Sequence, residues 1–149
     1  MFDPLYTYWA RIERVVDGDT FVASVDLGFG VSMKHHFRVY GYDAPETHRP
    51  SCEAEQKHGL AATAEAKRVL LDRTALLSTR RDRAGKYGRY LADVHVPEFL
   101  LPDSPEMDDL PRFTAFGTQG PVGVGSSLGM GVSFAAYMTA RGLAKRAEY

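Results

Sequence analysis

Acids and arginines gather in three short clusters: Asp17 and Asp19 in VVDGDT, Arg38, Asp43 and Glu46 in FRVYGYDAPE, and Arg89 in GKYGR. Carboxylate oxygens collect a hard divalent cation, and the planar fork of a guanidinium grips a phosphate. Both kinds at the edges of predicted strands are the equipment for cutting a phosphodiester. Asp19, Asp43 and a backbone carbonyl form a set able to recruit calcium, with water completing its about six to eight oxygens. Arg38 and Arg89 suit a two-armed clamp on one phosphate. Glu46 is the candidate to orient or deprotonate the attacking water. Each cluster alone has a plainer reading. Asp-Gly-Asp makes a good turn, Asp-Ala-Pro-Glu a solvated loop, and an exposed arginine an ordinary ion-pair partner. Only the combination points to chemistry.

The elements that must position these residues follow from periodicity. Trp9 to Val16 and Phe21 to Leu27 read as strands, the second alternating Phe21, Ala23, Val25 and Leu27 with Val22, Ser24 and Asp26. Gly28 and Gly30 bracket a turn into a third strand, Val31 to Tyr40. There Val31, Met33, His35, Phe37 and Val39 share one face, leaving Arg38 with Lys34 and His36 on the other. Pro45 and Pro50 keep 41–50 irregular. Ser51 is the expected cap of a helix over Cys52 to Asp72, with Glu53 and Glu55 in its first turn. Gly59 within that helix costs on the order of 1 kcal/mol. Two more strands follow, Thr74 to Thr79 and Arg89 to Val96, then a short helix over Ser133 to Arg141 burying Phe134, Tyr137 and Met138. The fold class expected is α+β, mainly β, with all 149 residues in one domain. Its centre is a five-stranded antiparallel barrel of the OB-fold type, with two helices and a long Pro/Gly-rich insertion. That insertion, Pro97 to Gly131, has prolines and glycines too dense for long helices or strands.

Charged residues at 25% and hydrophobic ones at 44% are ordinary for a globular chain, and nothing approaches the length of a membrane span. A net charge of −1 argues against a general polyanion binder. Nucleic-acid contact must then come from local charge, which the run Arg80, Arg81, Arg83, Lys86 and Arg89 supplies. Lys86 and Tyr87 are the expected substrate-binding pair, Tyr87 either stacking on a base or packing locally. The lone Cys52 excludes an internal disulfide and is expected to be half-buried near the helix start. A cytoplasmic location is expected, because the first residues lack a signal-peptide pattern.

VVDGDT, FRVYGYDAPE, KYGR and ARGLAK stand in the same order as in the staphylococcal nuclease (thermonuclease) family, which the chain resembles over about residues 9–96 and 132–147. The resemblance implies a calcium-dependent phosphodiesterase on an OB-fold barrel. It would act on DNA and RNA and leave 3′-phosphate and 5′-hydroxyl ends. It makes Asp19 and Asp43 the calcium ligands, with the carbonyl of Ala44 as a third and Asp17 in support. Glu46 becomes the water-handling residue, and Arg38 and Arg89 the phosphate clamp. Ala44 stands where the family often has threonine, but only a carbonyl is required. The family pattern continues with tyrosines flanking a nucleotide pocket and a third helix; here Glu148 occupies one such tyrosine position. The 97–131 insertion is expected to cover part of the barrel or to meet a protein partner or second copy in that helix's place. The rival reading is a non-catalytic OB-fold module that binds nucleic acid or protein.

Overall fold

The computed structural model describes residues 6–80, 89–102, 105, 108–116 and 129–149. In chain order the elements are β1 (Thr7–Asp17), β2 (Thr20–Asp26), β3 (Ser32–Val39), α1 (Glu53–Leu70), β4 (Thr74–Thr79) and β5 (Tyr90–Pro97). A 3-10 turn (Glu98–Leu100), β6 (Arg112–Phe116), β7 (Gly129–Ser133) and α2 (Phe134–Ala140) complete them. β1 pairs antiparallel with both β2 and β4, β2 with β3, and β4 with β5. The ring then closes through a parallel seam, with Phe37, Arg38 and Val39 opposite Tyr90, Leu91 and Ala92. This is an OB-fold barrel, but a mixed rather than an all-antiparallel one. A ring with an odd number of strands cannot alternate direction at every step, so one seam must be parallel.

Alternation along each strand delivers the interior. Ile12, Phe21, Ala23, Val25, Phe37, Val39, Ala75, Leu77, Ala92 and Val94 are buried together. On β3 the apolar face is only half enclosed: Phe37 and Val39 are buried, whereas Met33, and Val31 just before the strand, are exposed. Helix α1 lays Ala62, Ala66, Val69 and Leu70 against the barrel, the small side chains allowing a close approach. Its cap is not the expected one. Cys52 is the N-cap residue, and its side chain makes no capping hydrogen bond. It is exposed rather than half-buried. Glu55 reaches back instead, its Oε1 accepting from the Ser51 N–H at 2.7 Å, a relative of the capping box.

Among its described residues the insertion carries two short strands. β3 covers only Tyr90 to Ala92 of one edge of β5, and β7 pairs with the remainder through His95, Val96 and Pro97. β6 then adds outside β7. Unpaired backbone groups on β5 would be costly, and this pairing overrides the weak strand preference of Gly129 and Gly131. Ser133 ends β7 and caps α2, its Oγ accepting from the Ala136 N–H at 3.2 Å. Phe134, Tyr137 and Met138 are fully buried, as their spacing predicts. No helix among the described residues is long and apolar enough to cross a membrane.

Candidate active site

Asp17, Gly18 and Asp19 form the tight turn between β1 and β2, where Asp17 Oδ1 accepts from the Asp19 N–H at 3.1 Å. Gly18 is required by crowding. A Cβ there would lie 2.8 Å from the Ala44 Cβ and 3.0 Å from the Ala62 Cβ. The turn is therefore wedged between α1 and the loop after β3. Across that contact the Ala44 N–H donates to Asp19 Oδ2 at 3.0 Å.

Pairing of Thr20 with Arg38 in the β2–β3 register puts the guanidinium over the same turn. Arg38 Nη2 lies 3.9 Å from Asp19 Oδ2 and bonds Asp43 Oδ1 directly. Arg89 arrives from the start of β5 and donates to Thr20 Oγ1 at 3.0 Å. The Thr20 hydroxyl in turn donates to Asp19 Oδ1 at 3.0 Å. Thr20 is buried, so this relay links the second arginine to Asp19 through one hydroxyl. Arg38, Asp43 and Leu91, with residues 39–42, line an open depression of about 360 Å³ beside the cluster.

The electrostatics agree with a crowded negative rim. Burial pushes the Asp19 carboxyl up to about 6, with Asp17 adding repulsion and the Ala44 N–H and Thr20 hydroxyl opposing. Burial, then the charges of Asp19 and Asp17, raises the Tyr42 phenol too. Its hydroxyl stays a donor and binds the Leu143 carbonyl at 2.7 Å. Two carboxylates therefore flank one positive nitrogen of Arg38. Hard oxygen donors around a position already attractive to positive charge fit a calcium-like cation. Among the described residues no three His, Cys, Asp or Glu side chains form a ready metal cage, so water and a carbonyl would complete the shell.

The structure thus brings together Asp19, Arg38, Asp43 and Ala44, with Asp17 behind them and Arg89 linked through Thr20. Ala44 joins by its N–H, a contact that leaves its carbonyl, the expected cation ligand, uncommitted. Glu46 is exposed on the same loop, held there through its backbone, which bonds the Glu55 carboxyl. Lys86 and Tyr87, with Arg81 and Arg83, lie outside the described residues. His35 and His36 part as alternation requires, His35 against the Tyr90 ring and His36 beside Arg14. Thr20 and Tyr42 were missed. Thr20 had one available signal, its place in DGDT directly opposite Arg38 in the hairpin.

Fold and rim together define a small OB-type barrel whose one edge sets acids against guanidinium groups. The chain belongs to the staphylococcal nuclease family, since residues 36–148 match the pattern described as staphylococcal nuclease homologue. It is also similar to a thermonuclease of Staphylococcus intermedius, 35% identical over 90 residues that cover 60% of this chain and 50% of that protein. The chain thus spans about half the length of that curated relative. The family match begins at His36, so Asp17 and Asp19 are joined to it by the geometry of the β2–β3 hairpin.

Proposed function

We propose that this protein is a calcium-dependent nuclease that hydrolyses phosphodiester bonds of DNA and RNA, leaving 3′-phosphate and 5′-hydroxyl ends. The observation that carries the reading is the placement of Arg38 Nη2 against both Asp19 and Asp43, with Arg89 held one hydroxyl away through Thr20. Family membership and the likeness to a thermonuclease support it.

Asp19 and Asp43 would hold the cation, with Asp17 and the Ala44 carbonyl in support. Bound there, calcium supplies Lewis-acid polarisation of a phosphoryl oxygen and a site for water. Arg38 and Arg89 bind the phosphate and stabilise the charge that builds on its oxygens during in-line attack. Thr20 fixes the direction of Arg89. Glu46, exposed on the loop just after Asp43, orients the attacking water and accepts its proton. Lys86 and Tyr87 would bind the flanking nucleotide. The open depression beside Arg38 and Asp43 leaves room for either sugar type.

The test is an assay on heat-denatured DNA and on RNA with Ca²⁺, Mg²⁺, Mn²⁺ or EGTA. Cleavage with Ca²⁺ that stops with EGTA is expected. Arg38→Ala and Arg89→Ala should each lower kcat by about 10²–10³-fold, the loss seen when one transition-state donor is removed. Stability should shift by only about 0–1 kcal/mol, since the Arg38 ion pairs are partly exposed and Arg89 is only half-buried. Binding of nucleic acid without cleavage under any metal would instead make the protein a non-catalytic OB-fold module.

A further inference from the structure

Glu55 is nearly inaccessible, 2% exposed, yet it is a carboxylate and belongs to neither the cation site nor the phosphate clamp. A buried charge of this kind is costly unless it is well partnered. Its Oε1 accepts the Ser51 N–H at 2.7 Å, and Lys145 Nζ stands 3.7 Å from Oε2. The Ser51 hydrogen bonds, then the charge of Lys145 and the backbone of Glu46, hold the carboxyl below its usual range despite burial. Lys145 also donates its backbone N–H to the Asp43 carbonyl at 2.8 Å. One buried group thus touches the far end of the loop that carries Asp43 and Glu46, and the lysine that braces its near end.

The same face of α1 supports the rest of that loop. Gly59 is one turn along from Glu55, where side chains four apart share a face. A Cβ at Gly59 would lie 2.6 Å from the Pro45 carbonyl oxygen, 2.8 Å from Thr47 Cγ2 and 3.1 Å from the Glu46 carbonyl oxygen. The glycine therefore lets the loop rest directly on the helix. Ala62, further along this face, meets the Gly18 turn that presents Asp19.

We propose that Glu55 is a positioning residue for catalysis, anchoring the Asp43–Ser51 loop onto a platform formed by Glu55, Gly59 and Ala62. The platform sets Asp43 and Glu46 relative to Asp19. This inference rests on the nuclease reading for its kinetic consequence, but its structural part can be read without substrate.

Two measurements on the full chain test it: steady-state kinetics on a single-stranded oligonucleotide with Ca²⁺, and amide hydrogen exchange without metal or substrate. Glu55→Ala should lower kcat by about tenfold to a hundredfold with KM little changed, the scale expected when a reacting group is displaced by about 1 Å. Exchange should speed up in 43–51 while the barrel strands keep their protection. Glu55→Gln, which retains an oxygen acceptor for Ser51, should restore most of kcat and of the protection. Should Glu55→Ala fail to fold, Gly59→Ala perturbs the platform independently and should show the same local pattern. Wild-type kcat with unchanged exchange in the folded variants overturns the proposal. So does a loss of protection spread evenly over the barrel that Glu55→Gln does not reverse. If the wild-type protein cleaves nothing, the nuclease reading falls, and the exchange pattern alone decides whether Glu55 anchors the loop.

Discussion

Asp19 carries the conflict between stability and function at this rim. Its carboxyl is buried beside Asp17, and its proton is held to about 6 instead of 3.8. The folded state binds that proton more tightly than the unfolded chain, so acid stabilises the fold through this group. The cost is fully present above pH 6, about 3 kcal/mol for a shift of this size, and fades as pH falls towards 4. Asp19→Asn should therefore melt at a higher temperature than wild type at pH 7.5 in chelator, with the difference gone near pH 4. Cleavage should be lost at every pH. A thermal-melt series across pH is the check, and equal melting at pH 7.5 would contradict it. The arginines are simpler: Arg38 is set by register opposite Thr20, and Arg89 by the hydroxyl of that same residue.

Turn, loop and helix meet where Gly18 sits against Ala44 and Ala62. Both neighbours are Cβ atoms fixed to backbone, so neither can rotate away from a new methyl group. Gly18→Ala should cost about 1–3 kcal/mol, as overpacking does in a close-packed site, and should weaken cation binding as the turn shifts. Denaturant melts with and without Ca²⁺ would show it; unchanged midpoints would refute it. At this scale most of the barrel was legible. β4 runs Thr74–Thr79 as read from the sequence, because alternation and flanking breakers specify a strand locally. β6 and β7 were not legible, since their pairing is dictated by an open edge on β5 that no local pattern records. Gly59 was read as a tolerated helix defect, whereas contact with the Pro45 and Glu46 carbonyls requires it. The Thr20 relay and the pairing of Glu55 with Lys145 escaped for the same reason: Arg89 and Lys145 are distant in sequence.

Across the whole molecule, α1 and α2 are coupled by a polar contact at the edge of the core. The Tyr137 hydroxyl donates to Glu65 and accepts from Arg68 at 3.0 Å. Burial, reinforced by Glu65, pushes that phenol up to about 12. Tyr137→Phe keeps the ring and loses the hydroxyl, so a destabilisation of about 1–2 kcal/mol is expected, with nuclease activity retained. Glu65 keeps its Arg68 partner at 2.5 Å, which limits the loss. A larger drop in urea, or a fall in kcat at a temperature where the variant is fully folded, would count against this division of roles. The parallel seam has a temporal consequence as well. Asp19 and Arg38 meet through a hairpin of adjacent strands, early and cheaply in chain entropy. Arg89 can reach Thr20 only after β5 has travelled round to β3, a pairing of much longer range than the hairpin. A half-made barrel of the proposed enzyme would thus hold its acids and lack its second grip on the ester until that seam closes.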